Sequence, residues 1–440
     1  MPVAYLSPPL ETWWECLSYV SKRDLQQLRL VCRFFARICF NPLFETLSWS
    51  VPNPDFQWGP PVELEDALRV LRSFITDDSA SDVHRTVRRL NFRGIERGYR
   101  TCLRSPRISA TYSSYLALFR QALGMFTALC ALNLNAVTID GRMAMCLQNL
   151  SFLCTLELSD CEITSTVPVQ LPLRNFMVVS AWDYQDAKVT RDALCLVAPE
   201  HLEWAVIADD RWTSALFAAW GTVLMSFLTR LTIRVRRDQS VRFLGFLRQC
   251  PRLDSLFLAP DSTLDYPEGT FSPTTIPNLR VYEGPLHLAH AFITDRNVTS
   301  ARLDAVCVDD RSGSLTPMET KSVVAALEMT LPAASQVRTL RLCEVCPDLA
   351  LLRLVTSYVR ELRTLELRLT SDAGGTNLQP EEASELASQS ATSISASDLE
   401  GVLRVAEHAG IAVDRLTGFP TEKYPPVEVS TCPPYSSLTS

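Results

Sequence analysis

Leu153-Cys154-Thr155-Leu156-Glu157-Leu158-Ser159-Asp160-Cys161-Glu162-Ile163 is the stretch on which the fold turns. In an extended strand side chains alternate, so Leu156 and Leu158 share one face while Glu157 points to the other. The same apolar-x-x-apolar-x-apolar spelling recurs on both sides. Clear copies are Leu129-Leu132-Leu134, Leu228-Leu231-Ile233, Leu253-Leu256-Leu258, Val337-Leu340-Leu342 and Leu362-Leu365-Leu367. Looser copies are Val87-Leu90-Phe92, Leu173-Phe176-Val178, Leu202-Ala205-Ile207, Leu279-Tyr282-Gly284 and Val298-Ala301-Leu303. From Leu132 to Tyr282 the middle residues follow one another at intervals of 24, 20, 29, 26, 25 and 26. Gaps of 42 before Leu132 and 39 before Leu340 leave room for insertions.

Between these strand cores lie amphipathic helical stretches. Leu64, Leu68, Leu71 and Ile75 share one helical face, and Tyr115–Leu123, Val241–Leu247 and Lys321–Leu331 behave alike. Cys250-Pro251 and Ile276-Pro277 stop a helix before the next strand. A short strand plus a helix at this period is the leucine-rich-repeat unit, which buries its face only by stacking on neighbours. Residues 153–163 carry the full consensus. Elsewhere its Asn/Cys position holds Val137, Arg236, Asp261 or Val345. The expected fold is therefore α/β, an irregular leucine-rich-repeat solenoid of short parallel strands plus helices. The residue between the last two anchors points to the concave face. That row includes Asn91, Asn133, Glu157, Met177, Val206, Thr232, Phe257, Arg341 and Glu366, with Trp204 one step aside. Met177, Trp204, Val206 and Phe257 make an apolar centre, and Arg341 belongs to its charged flank. Aromatic anchors inside a polar rim are the usual make-up of a protein interface, so these five residues are the candidate target-binding set.

The first fifty residues differ in character. Trp13, Trp14, Leu17 and Val20 form one helical stripe, after Pro9 at a first-turn position and Glu11 near the positive end of the dipole. Ser21 to Asp24 is a polar break with a capping residue at either end. A second helical stripe runs Leu25, Leu28, Val31, Cys32, Phe35 and Ile38. So short a helical unit cannot bury its own face, which points to docking. This stretch resembles an F-box, through Pro9, Glu11, Trp13, Leu17-Ser18-Tyr19-Val20, Arg23-Asp24-Leu25, Leu28-Arg29-Leu30-Val31-Cys32-Arg33, Phe35 and Pro42-Leu43-Phe44. The resemblance implies a substrate receptor that hangs on the Skp adaptor of a cullin–RING ubiquitin ligase and presents an unidentified protein target. It implies that Pro9, Leu17, Leu25, Leu28, Val31, Cys32 and Phe35 hold the adaptor.

The sequence is thus partitioned into an F-box-like helical module (1–50), a connecting helix and linker (51–86), the repeats (87–370), a Ser/Ala/Thr/Glu-rich insert (371–397), a closing helix region (398–424) and a tail (425–440). Of its 440 residues 47% are hydrophobic and 21% charged, which is core-forming composition. A net charge of −7 argues against a general nucleic-acid surface. The 14 cysteines are scattered, many within apolar stripes, and the N-terminus lacks the basic and apolar regions of a signal peptide. Reduced thiols and a cytoplasmic or nuclear monomer are expected, with the sequons at Asn149 and Asn297 unmodified. Trp212 to Thr229 carries no charge over eighteen residues, but Gly221 interrupts it and the repeat requires a helix there, so a buried helix and no membrane span are expected.

Little resembles an active site. Cys343-x-x-Cys346 lacks the second pair that a structural zinc site needs. His287-x-x-His290 has no accompanying carboxylate motif. Asp209-Asp210-Arg211 and Asp309-Asp310-Arg311 read as solvated loops, and Arg234-Val235-Arg236-Arg237 as a charged strand exit. No enzyme, cofactor or metal is expected. The rival readings are a leucine-rich-repeat scaffold whose first helices merely cap the repeats, and an enzyme resting on the Asp pairs and His287/His290.

Overall fold

The computed structural model describes residues 9–51, 62–77, 80–95, 105–164, 170–179, 194, 196–265, 272–308, 315–334, 336–345, 349–359, 361–369 and 412–417. The chain divides into two compact units, Met1–Leu202 and Glu203–Ser440, and parallel strands run through each. The architecture is α/β, a leucine-rich-repeat type of alternation with helices leading it.

The first unit opens with four helices, α1 (Leu10–Ser18), α2 (Lys22–Val31), α3 (Arg33–Ile38) and α4 (Phe40–Phe44). Then follow β1 (Thr46–Ser50), α5 (Val62–Thr76), α6 (Ser81–Thr86), β2 (Arg89–Arg93), α7 (Pro106–Leu123), β3 (Ala131–Asn135), β4 (Thr138–Ile139), α8 (Gly141–Gln148), β5 (Thr155–Ser159), β6 (Glu162–Ile163) and β7 (Asn175–Val179). The main strands lie in the order β1-β2-β3-β5-β7, all parallel, and β4 pairs with β6. Leu47, Leu90, Leu132, Leu156 and Phe176 stand in one register row across them. β1 is a strand outside the eleven copies of the repeat spelling, although Phe44-x-x-Leu47-x-Trp49 has the same spacing. It falls inside the stretch assigned to the helical module, whose helices end at Phe44.

The second unit runs β8 (Trp204–Ile207), α9 (Asp210–Trp220), β9 (Arg230–Ile233), α10 (Ser240–Leu247), β10 (Ser255–Leu258), β11 (Val281–Pro285), α11 (Leu286–Ile293), β12 (Ser300–Asp304), β13 (Val306–Val308), β14 (Leu315–Pro317), α12 (Thr320–Thr330), β15 (Thr339–Val345), α13 (Leu349–Tyr358), β16 (Thr364–Leu369) and β17 (Ala412–Thr417). Its parallel order is β8-β9-β10-β11-β12-β15-β16-β17. The second long gap is filled by the antiparallel β13–β14 hairpin and by α12. β17 closes this order without any copy of the repeat spelling. The insert at 371–397, the helix expected over 398–408 and the tail at 425–440 lie outside the described residues.

All eleven middle anchors of the repeat spelling sit in strands, and none is more than 1% exposed. Burying each Leu or Phe contributes about 1.5–3 kcal/mol, so this row is the main source of stability. In the full-consensus copy the Cys161 thiol donates to the Leu134 carbonyl at 3.1 Å and the Ser159 carbonyl at 3.4 Å. Where the consensus polar residue is replaced, Val137 and Val345 are buried apolar plugs instead.

The uncharged stretch from Trp212 to Thr229 is not one helix. α9 ends at Trp220, where the Gly221 amide closes on the Phe217 carbonyl, and turns lead to β9. Glycine weakens helix propagation by about 1 kcal/mol relative to alanine, enough to end so short a helix there. Among the described residues no helix is long and apolar enough to cross a membrane.

Candidate functional site

The four N-terminal helices build a small core of their own from Leu17, Leu25, Ile38, Cys39 and Leu43, with Trp13, Val20, Leu28, Phe35 and Phe44 packed on it. Ser21 starts α2 by a reciprocal cap. Its hydroxyl accepts from the Asp24 amide at 3.2 Å and donates to the Asp24 carboxylate at 2.6 Å. The continuous stripe read from Leu25 to Ile38 is broken. Cys32 is extended, at φ −161° and ψ 167°, and α3 starts afresh at Arg33. Within α2 exposure follows the helix itself, because six residues at 3.6 per turn carry Val31 roughly 120° around from Leu25. Leu25 turns inward at 2% exposed, whereas Leu30 and Val31 stand out at 79% and 67%.

The seven residues assigned to adaptor contact therefore separate into three kinds. Pro9, Val31 and Cys32 are exposed, and Leu28 and Phe35 are half-buried. Leu17 and Leu25 are interior, so their part is to hold the helices rather than to touch a partner. Sequence reasoning omitted Leu10, Trp14, Tyr19, Leu30 and Phe34, which are large apolar residues left in solvent. Trp14 belongs to the first stripe, and Tyr19 and Leu30 to the F-box match, yet helical spacing alone does not say which of them stay in solvent. Trp13 meets Phe34 and Phe35 edge-on, at centroid distances of 5.9 and 5.5 Å, so α1 and α3 are fixed against each other. The Trp13 indole N–H is buried there without a hydrogen-bond partner.

In the first unit the concave row reads Ser48, Asn91, Asn133, Glu157 and Met177. Asn91 donates to the Ser48 hydroxyl at 3.2 Å. Glu157 has no ion-pair partner among the described residues, and burial pushes its carboxyl above the ordinary range. In the second unit the row reads Val206, Thr232, Phe257, Glu283, Arg302, Arg341 and Glu366. Its first three positions are apolar or neutral and the last four are charged. Arg302 reaches Glu283 at 3.8 Å and Asp304 at 3.5 Å, and Arg341 reaches Glu366 at 2.8 Å. Each arginine thus has its own acid, which offsets the repulsion of two like charges on neighbouring strands. Burial pushes the Glu283 carboxyl upward, against the downward pull of Arg302 and Arg341.

Among the five proposed target-binding residues, Val206 and Phe257 share the concave row of the second unit, and Arg341 stands three strands beyond Phe257. Trp204 lies in the preceding row, in register with Arg230, and Met177 belongs to the first unit. Glu283 and Arg302 were missed because their repeats, with Gly284 and Ala301 at anchor positions, were the weakest copies.

Asp209, His290 and Arg234, three of the residues weighed for chemistry, have structural partners. Asp209 caps α9, accepting from the Arg211 amide at 2.8 Å and pairing with its guanidinium at 2.8 Å. Burial pushes this carboxyl up, but the Arg211 bonds outweigh it and hold it below the ordinary range. His290 Nδ1 lies 3.1 Å from the Met329 carbonyl and 3.0 Å from the Thr294 hydroxyl. Arg234 pairs with Asp261. Cys343 is buried in β15, while Cys346 and the second Asp pair lie outside the described residues. Among the described residues no three His, Cys, Asp or Glu side chains are grouped to hold a metal.

No family model matches the chain, and no curated protein matches it in sequence. Among solved structures it is similar to an internalin from Listeria monocytogenes, with 13% identity and a TM-score of 0.32 over 69% of this chain and 82% of that one. It is also similar to the Rad7 and Elc1 complex in yeast, with 11% identity and a TM-score of 0.32 over 84% of this chain and 89% of that one. A TLR13–ssRNA13 complex gives 11% identity and a TM-score of 0.26 over 66% of this chain and 56% of that one.

Proposed function

We propose that the chain is a non-catalytic substrate-recognition subunit. Its N-terminal helices dock on the Skp adaptor of a cullin–RING ubiquitin ligase, and its repeats hold a protein target. One observation carries this reading: α1 to α4 complete a core of their own yet leave Leu10, Trp14, Tyr19, Leu30, Val31 and Phe34 between 41% and 85% exposed. Six large apolar side chains on so few residues is a binding surface rather than the scattered exposure of an ordinary monomer. The F-box resemblance supplies the identity of the partner. The concave row of the second unit supports the other half, since Val206 and Phe257 beside fixed ion pairs suit an apolar anchor flanked by polar contacts.

The direct test is a pull-down of the full chain with recombinant adaptor, comparing wild type with a Leu30→Asp, Val31→Asp double variant. Both sites are exposed, so the variant keeps its fold, whereas a charge at half-buried Leu28 would strain the core. Loss of recovery in the variant is expected. Equal recovery would refute the adaptor assignment.

The rival cap reading also has an observation behind it. The Glu45 carbonyl accepts from the Arg88 and Arg89 amides at 2.9 Å each, and Lys22 Nζ donates to the Thr46 carbonyl at 2.9 Å. These contacts tie the helices to the first strands. They involve one residue beyond α4 and one lysine, and no member of the helices' core.

A further inference from the structure

In the second unit an open cleft of about 730 Å³ lies where the chain enters β11, β12 and β15. Its walls carry Arg280, Arg338, Asn297, Gln336, Ser300 and Thr339, with Thr299 at its centre, and no carboxylate. The backbone ladder sets the spacing. The Thr299 amide donates to the Arg280 carbonyl at 2.9 Å, and the Arg338 amide to the Thr299 carbonyl at 2.8 Å. The two arginines therefore stand two strand steps apart, about 10 Å at the ordinary strand separation, with hydroxyls between them. A guanidinium offers five N–H donors in a planar fork and no acceptor, so two of them across a hydroxyl-lined gap match an oxyanion. Arg280 has no ion pair among the described residues. Arg338 is held by Glu361, Nε to Oε2 at 3.3 Å, and both side chains are half exposed.

We infer that this cleft binds a phosphate-bearing ligand, independently of the adaptor reading. Size argues for more than the bare ion. A water occupies about 30 Å³ and a phosphate only a few times that, so the cleft has room for the group that carries the phosphate or for several linked phosphates. A sulfate monoester or a carboxylate carries a single negative charge, against about 1.5–2 on a phosphate monoester at pH 7, and so uses the same donors more weakly. Exposed positions make the contact salt-dependent.

Calorimetric titration of the full chain at low ionic strength with sodium tripolyphosphate, O-phospho-L-serine and L-serine tests this. Saturable binding of a phosphate compound and none of L-serine is expected. Tighter tripolyphosphate binding identifies a free polyphosphate as the source, and tighter phosphoserine binding identifies a phosphorylated side chain. Arg280→Gln and Arg338→Gln should each weaken binding about tenfold, the usual consequence of losing one charge-assisted contact. Glu361→Gln should tighten it by releasing Arg338, and Arg242→Gln, exposed on α10, should leave it unchanged. No saturable binding of either phosphate compound, or binding that both cleft variants retain in full, would overturn the inference.

Discussion

Glu157 and Asp209 are carboxylates of opposite electrostatic situation, and each makes a prediction. Glu157 sits half-buried between Asn133 and Met177 with no cation beside it, and burial raises its pKa. Between the unfolded and folded values the native state binds the extra proton, so stability falls as pH rises through that window. Glu157→Gln should therefore be more stable than wild type at neutral pH. The gain should vanish near pH 4, where the glutamate is already neutral, and urea melts at the two pH values check it. Asp209 has the reverse sign. Its folded pKa is lowered, so its contribution is complete above the ordinary carboxylate value of 3.8 and is lost as pH falls through the lower folded one. Asp209→Ala removes a helix cap and should cost about 0.5–2 kcal/mol at neutral pH, read from the same melts. Within the N-terminal helices the contrast is burial. Leu25→Ala should cost about 2–5 kcal/mol, while Val31→Ala should change stability by less than about 0.5 kcal/mol.

At the scale of elements, β1 is the one on which the rival readings divide. Trp49 of β1 packs against Phe74, Phe119 and Phe126 at centroid distances of 5.3, 6.1 and 5.7 Å, so β1 belongs to the repeat core. The helices before it have a separate core. Deleting residues 1–44 should leave the first unit folded, whereas deleting 1–51 should unfold it by removing Trp49 and the edge partner of β2. Circular-dichroism melts of the two truncations decide the matter, and unfolding by the shorter deletion would favour the cap. The repeat strands were legible because a residue pair facing a packed core leaves a period-two mark, strongest where both anchors are leucine. β1 was hidden by its neighbour's helical stripe, and β17 because Ala412–Thr417 carries no copy of the spelling. The bend at Cys32 was invisible for another reason. Periodicity reports which residues are apolar and not where the backbone turns, so the run through Val31, Cys32 and Phe35 reads as one helix although α2 ends at Val31 and α3 starts at Arg33.

For the whole molecule, the proposed function puts adaptor docking on the first unit and gives the target-binding candidates, Phe257 and Arg341 among them, to the repeat strands. The concave rows were legible as positions, because the register follows the anchors. Which of their residues pair was not, since ion pairs such as Arg341–Glu366 depend on strand order. The measurement that bears most directly on the central claim is a calorimetric titration of the full chain with recombinant Skp adaptor over a range of temperatures. A saturable one-to-one complex with a negative heat-capacity change is predicted, the mark of apolar surface leaving water, and the Leu30→Asp, Val31→Asp variant should lose it. No binding by the wild type, or binding that the double variant preserves, would contradict the account.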